Sequence, residues 1–284
     1  MNNTGQLPPL VEPSWLDAHK DDVNVRVIEI AGMGQENCAA YRSGHVPGAV
    51  VWPWKRMLWD DRIRDFPAPE EFARRLGAAG ISNDTTVVIY GEPVQFGLYA
   101  WWVFKYCGHE KVHVLDGGRR RWAAEERELS LDEPPHAAAA AYRPAQRNEA
   151  MRAGRDRVLA ALGKPTTILL DARSSEEYSG ERVGAPGMPD VGAERAGRIP
   201  GARHLEYLEL LTENESFKPV AQLRSILASH GAAPDQEVIT YCRGSHRASV
   251  VYFALTQLLG HDRAKVYDGS WTEWGSMVGM PIEK

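Results

Sequence analysis

Cys242, Arg243 and Arg247 are the residues of this chain whose types and spacing best suit chemistry. The thiol follows the apolar run Glu237-Val-Ile-Thr-Tyr241 and opens the loop Cys242-Arg-Gly-Ser-His-Arg247. From Ala248 onward, Val250, Val251, Ala254, Leu255, Leu258 and Leu259 fall at helical spacing. A thiol therefore stands where a buried strand gives way to a helix. Main-chain N–H groups of such a turn, and the positive end of the helix, converge there. A cysteine after a strand is by default a small buried hydrophobe. Two guanidinium groups in the same loop change that reading, because they suit a thiolate nucleophile and an anionic substrate.

Other candidates carry less. His246 is expected to face water while its N–H serves the loop. Asp171 ends a strand and is expected to hold loop backbone or an arginine. Trp271 and Trp274 read as core or pocket wall. Cys38 has no charged constellation around it, and Cys107 reads as core beside Phe104 and Tyr106. The run Arg119-Arg-Arg121 is answered by Glu125, Glu126 and Glu128, as on a solvated helical face.

These residues sit in a chain of 284 residues with a formal net charge of −5. That length suits one large domain or two medium ones. The mild acidity argues against nucleic acid as a partner. Three cysteines make no disulfide framework, so a reducing compartment is expected. The opening Met1-Asn-Asn-Thr-Gly-Gln6 has no basic stretch leading into an apolar one, and no apolar run reaches membrane-spanning length. A soluble, cytoplasmic protein with no membrane partner is the expectation.

The elements that must position the thiol occur twice. Val87-Val-Ile-Tyr90 precedes a turn, a helix, Gly108-His-Glu110, Asp116-Gly117 and Trp122. Val238-Ile-Thr-Tyr241 precedes a turn, a helix, Gly260-His-Asp262, Asp268-Gly269 and Trp274. The spacing between the two series holds at 152 residues from Gly108 to Trp122. Gly44-His-Val-Pro-Gly-Ala49 matches Gly197-Arg-Ile-Pro-Gly-Ala202 in the same order. This is a duplicated domain, with a period too long for a solenoid. Strands such as Ile168-Leu-Leu170 are continuous apolar runs, which predicts parallel sheets covered on both faces. The expected division is an N-terminal domain over 1–135, a linker over 136–145 and a catalytic C-terminal domain over 146–284. Gly91 occupies the position of Cys242 in the first half, with Glu92 and Pro93 beside it. That half is therefore expected to be inactive.

These motifs resemble the rhodanese family, specifically its tandem-domain thiosulfate sulfurtransferases. The likeness runs through Ser14-Trp-Leu16, Gly80-Ile-Ser-Asn-Asp-Thr85, Asp116-Gly-Gly-Arg119, Asp171-Ala-Arg173, Tyr241-Cys-Arg243 and Asp268-Gly-Ser-Trp-Thr-Glu-Trp274. It implies an α/β fold of two rhodanese-like domains, each a parallel sheet flanked by helices. It also implies an enzyme that moves the sulfane sulfur of thiosulfate to cyanide or a thiol through a Cys242 persulfide. Sulfite is released, and no metal or organic cofactor is needed. Arg243 and Arg247 would bind the dianion, and the amides of Gly244, Ser245 and His246 would support the sulfur.

Two alternatives stay open: a 3-mercaptopyruvate sulfurtransferase, and a persulfide carrier that receives sulfur from a partner protein. The phosphatase relatives of this fold use Cys-x5-Arg, whereas four residues separate Cys242 from Arg247. Mercaptopyruvate enzymes have Gly after the Cys and lack this pair of arginines. The chain also departs from mitochondrial-type members. Gly244 stands where they have Lys, Ser245 where Gly is usual, and Arg198 where His is usual. Glu177 stands where they place a substrate arginine. Arg182 or Arg195, in the inserted stretch 180–196, is expected to replace that arginine. Phe96 is expected to line the pocket by family position.

Overall fold

The computed structural model of the chain describes residues 7–33 and 38–284. Residues 1–6, read above for a leader, lie outside the described residues. The chain forms two compact units. One runs to Asn148 and takes in Glu213–Ser216; the other comprises Glu149–Thr212 and Phe217–Lys284. The segment 136–145 runs along the first unit, where Ala140 N donates to Gly77 O at 2.9 Å and Asn83 exchanges two hydrogen bonds with Arg143.

Each unit is built on a five-stranded, wholly parallel sheet. In the first, β1 (Leu10–Val11), β2 (Val25–Ala31), β3 (Ala49–Pro53), β4 (Thr86–Glu92) and β5 (Val112–Leu115) lie in the order β1-β5-β4-β2-β3. In the second, β6 (Arg152–Ala153), β7 (Thr167–Asp171), β8 (Arg203–His204), β9 (Glu237–Tyr241) and β10 (Ala264–Tyr267) lie in the order β6-β10-β9-β7-β8. The two orders are the same topology. β7 and β9 are buried at every position, as strands covered on both faces must be.

The repeat extends to single hydrogen bonds. Tyr90 Oη accepts from Val46 N at 3.1 Å, and Tyr241 Oη accepts from Ile199 N at 3.2 Å. Trp122 Nε1 donates to Glu128 O at 2.8 Å, and Trp274 Nε1 to Pro281 O at 2.7 Å. Tyr41 Oη donates to Ala49 O and Tyr178 Oη to Ala202 O, at 2.8 and 2.7 Å. Eight residues of sequence separate the first pair and 24 the second, so the insertion lies inside this second loop. Arg198 lays its guanidinium over the Tyr178 ring at 4.7 Å, as His45 stacks on Tyr41 at 3.7 Å. A cation on an aromatic face thus takes the place of a stacked imidazole.

The units differ after their central strands. In the first, the helix Val94–Tyr106 is buried at every residue except Gln95 and Lys105. It docks so closely that a Cβ on Gly91 would collide with Gly97 N and lie 2.9 Å from Phe96 C and Pro93 O. Helix backbone fills the space that a side chain at position 91 would need. Phe96 packs on Trp54 within this unit, ring centroids 5.5 Å apart. In the second, the helix starts at His246, two residues before the apolar pattern begins, and continues from Phe253 into a π-helical turn over Ala254–Leu258. No helix among the described residues is long and apolar enough to cross a membrane.

Candidate active site

Cys242 follows the last residue of β9 and is 1% exposed. Its amide donates to Ser270 Oγ at 3.2 Å and its carbonyl accepts from Trp271 N at 2.9 Å. The carbonyl of Arg243 accepts from Thr272 N at 3.0 Å and from Thr272 Oγ1 at 2.7 Å. The start of the short helix Ser270–Trp274 thereby stitches down the base of the loop.

Two serines hold strained backbone to make this possible. Ser245 has φ 75° and Ser270 φ 51°, and both are fully buried. A left-handed non-glycine residue costs roughly 1–2 kcal/mol. Each hydroxyl answers with a bond a glycine could not make: Ser245 Oγ donates to Asp268 O at 2.6 Å, and Ser270 Oγ donates to Tyr267 O at 2.8 Å while accepting from Cys242. Ser245, which stands where Gly is usual in the family, thus adopts a left-handed backbone. Gly118, the first-half counterpart of Ser270, has the same φ of 51° and no hydroxyl.

Among the described residues, the amides of Arg243, Gly244, Ser245 and Arg247 find no hydrogen-bond acceptor. Three consecutive uncommitted N–H groups between the strand and the helix, with a fourth in the first turn of the helix, form an anion nest. Leaving such donors unmet inside a protein is costly.

The arginines have different partners. Arg247 gives Nη1 to Glu177 Oε2 at 2.5 Å and Nη2 to Glu177 Oε1 at 2.8 Å. Glu177 is fully buried and closes the capping box of the helix Ser175–Ser179 with Ser174. Burial works against the Arg247 charge. The Glu177 carboxylate and the nearby Cys242 outweigh it, so the guanidinium titrates above its ordinary range. Arg243, half-buried, has no acceptor for its guanidinium among the described residues; it packs against Gly192, where an added Cβ would lie 2.5 Å from Nη2 and 2.7 Å from Cζ. Arg195 gives its donors to the carbonyls of Gly275, Met280, Trp274 and Met277 at 2.9–3.1 Å. Arg182 donates to Met188 O at 2.9 Å and lies 4.0 Å from Asp190. These partners all belong to the insertion and the C-terminal segment.

His246 opens the helix His246–Phe253 and is half-buried. A Cβ on Gly244 would meet nothing closer than His246 Nδ1 at 4.0 Å, so the position has room for a side chain. Asp171 holds Arg173, both fully buried, with Nη2 to Oδ2 at 2.6 Å; Arg173 also donates to Gly197 O at 2.7 Å and lies over the Trp271 ring at 4.6 Å. Trp271 and Trp274 are core residues. Ser270, Thr272 and Gly192 were not singled out from the sequence. For Ser270 the signal was the Gly118–Ser270 difference between two otherwise matched repeats; for Gly192 there was none, because the insertion has no counterpart in the first half.

The model of the rhodanese-like domain matches the chain twice, over residues 12–125 and 155–277. The sulfur carrier protein TtuD of Thermus thermophilus is 41% identical, with 97% of this chain and 96% of that protein covered. A putative thiosulfate sulfurtransferase of Saccharopolyspora erythraea is 40% identical, covering 96% and 95%. The putative thiosulfate sulfurtransferase SseA of Mycobacterium tuberculosis is 42% identical, covering 96% and 90%. Among solved structures, the anaerobic ergothioneine biosynthesis enzyme from Chlorobium limicola, in complex with trimethyl histidine, superposes with a TM-score of 0.85 at 25% identity. It covers 97% of this chain and 70% of its own. Two matched domains, a doubled sheet topology and relatives alignable from end to end make this chain a member of the rhodanese family, a sulfurtransferase with two rhodanese-like domains.

Proposed function

We propose that the protein transfers the sulfane sulfur of thiosulfate through a persulfide on Cys242. The thiolate attacks the outer sulfur, the S–S bond of thiosulfate breaks, and sulfite leaves with the bonding pair. Cyanide, or a thiol acceptor, then attacks the terminal sulfur of the persulfide; thiocyanate or the acceptor persulfide departs and the thiolate is restored. This is covalent catalysis in two steps and predicts ping-pong kinetics.

The observation that carries the reading is the set of amides of Arg243, Gly244, Ser245 and Arg247, which have no acceptor among the described residues. An anionic sulfur, first thiolate and then persulfide, is what such donors lack. Arg243 supplies a cation that has no partner among the described residues. Arg247 adds charge, with its two Nη atoms held by Glu177. Arg182 and Arg195 contribute through the segment they brace. The first unit, with no room for a side chain at Gly91, has no thiol at the position that matches Cys242. Cys38, Cys107 and Cys242 form no disulfide, which suits a reducing, cytoplasmic setting.

Mass spectrometry after incubation with thiosulfate tests this. One added sulfur atom on Cys242, discharged by cyanide and absent in Cys242→Ala, is the expected result. Thiocyanate production that persists in Cys242→Ala would refute it. Parallel kinetics with mercaptopyruvate decide the donor, and a higher kcat/KM for thiosulfate is expected.

A second reading is favoured by one observation. Glu177 neutralises Arg247, and Arg243 has no carboxylate partner among the described residues, a thin charge for a dianion. A persulfide carrier loaded by a partner protein needs less. The relative from Thermus thermophilus is named a sulfur carrier protein. Loading by a protein persulfide but not by thiosulfate would establish this reading over the first.

A further inference from the structure

We propose that the inserted segment 183–195 is a seat for the Arg243 guanidinium, with Gly192 as the positioning residue. This rests on the reading of Arg243 as the cation that receives the sulfur donor.

Gly192 has φ +123°, a conformation that side-chain-bearing residues rarely adopt, and its missing Cβ is the space the guanidinium occupies. The segment around it is fixed at both ends. Asp190 Oδ1 accepts from Val183 N at 2.7 Å and Gly184 N at 2.8 Å, which closes the tip into a compact turn. Arg195 pins the other end to four main-chain carbonyls, and its own carbonyl accepts from Trp271 Nε1 at 2.9 Å.

Arg243 is equally fixed at its root, because Thr272 holds its carbonyl twice. Its remaining freedom is in the side chain, and an arginine loses much rotamer entropy when a ligand immobilises it. A seat that restricts the planar guanidinium beforehand reduces that loss and keeps all five donors available. The shorter loop of the first half has no such segment, and its matching strand end has no arginine after Gly91. Seat and cation occur together in the half that holds the thiol.

The test compares alkylation of Cys242 by anionic iodoacetate and neutral iodoacetamide, read on the Cys242 peptide by mass spectrometry so that Cys38 and Cys107 do not interfere. Thiosulfate KM and kcat are measured alongside. Gly192→Ala should lower the iodoacetate-to-iodoacetamide rate ratio roughly fivefold, the effect of moving one unit charge by several ångströms near a protein surface. It should raise the KM for thiosulfate with little change in kcat. In an Arg243→Ala background the same substitution should change neither quantity. Arg195→Met, which loosens the segment without adding a Cβ, should shift the ratio in the same direction. An equal loss with and without Arg243, or an unchanged ratio in both Gly192→Ala and Arg195→Met, overturns the proposal. If wild type ignores thiosulfate but the alkylation ratio still depends on Gly192 only when Arg243 is present, the donor assignment falls and the seat stands.

Discussion

Glu177 grips Arg247 with both carboxylate oxygens, at 2.5 and 2.8 Å, while also capping its own helix. The pair joins the loop after β9 to the helix after β7. Removing one member of a buried ion pair leaves the other charged and unmatched, at a cost of roughly 3–5 kcal/mol. Glu177→Ala should therefore lower the urea midpoint strongly, and more than Ser175→Ala on the exposed side of the same helix. Equal midpoints for the two variants would show that the pair does not secure the loop.

Ser270 permits a finer comparison. Ser270→Ala removes the acceptor for the buried Cys242 amide and keeps the strained φ, with an expected loss of about 1–3 kcal/mol. Ser270→Gly loses the same acceptor but relieves the backbone by about 1 kcal/mol. Glycine should thus be the milder change in thermal unfolding. If alanine and glycine cost the same, the hydroxyl does not compensate for strain.

Gly244 offers a gain of function. The position after Arg243 has open space, and its φ is not among the positive ones. Gly244→Lys adds a cation beside the anion nest and should raise kcat/KM for thiosulfate about three- to tenfold at low salt, with the gain shrinking as ionic strength rises. A salt-independent change, or none, would mean that charge at the loop does not limit donor capture.

In the first unit, burial pushes the Glu29 carboxyl above its ordinary value, with Arg119 pulling the other way. The folded form therefore keeps its proton to a higher pH than the unfolded chain. Stability attributable to Glu29 is present below the unfolded value and declines as pH rises through the window up to the folded one. Glu29→Gln should remove that decline. The variant should be more stable relative to wild type at pH 7 than at pH 4 in urea titrations. An opposite order would assign the carboxylate a stabilising partner.

The doubled fold was legible because its signals are local and repeated: continuous apolar strands, Gly108 and Gly260 closing helices, and Trp122 and Trp274 in register. Cys242 was legible as a thiol between a strand and a helix. Glu177 was visible only as a departure from a family pattern, since its partner lies 70 residues away. Sequence spacing cannot announce a pairing made by two strands meeting side by side. Arg243 and Arg247 looked alike in the chain, and only packing separates a guanidinium gripped by a carboxylate from one resting on glycine backbone.

The tyrosine that anchors Ala202 through 24 residues does in the second half what Tyr41 does for Ala49 through eight. Tripling a flexible connection costs only about 1 kcal/mol in closure entropy. Natural variation can therefore lengthen, shorten or exchange the chain between these two moorings while the sheet stays as it is. If Gly192 seats Arg243 as proposed, preference among sulfur donors can drift there without putting folding at risk.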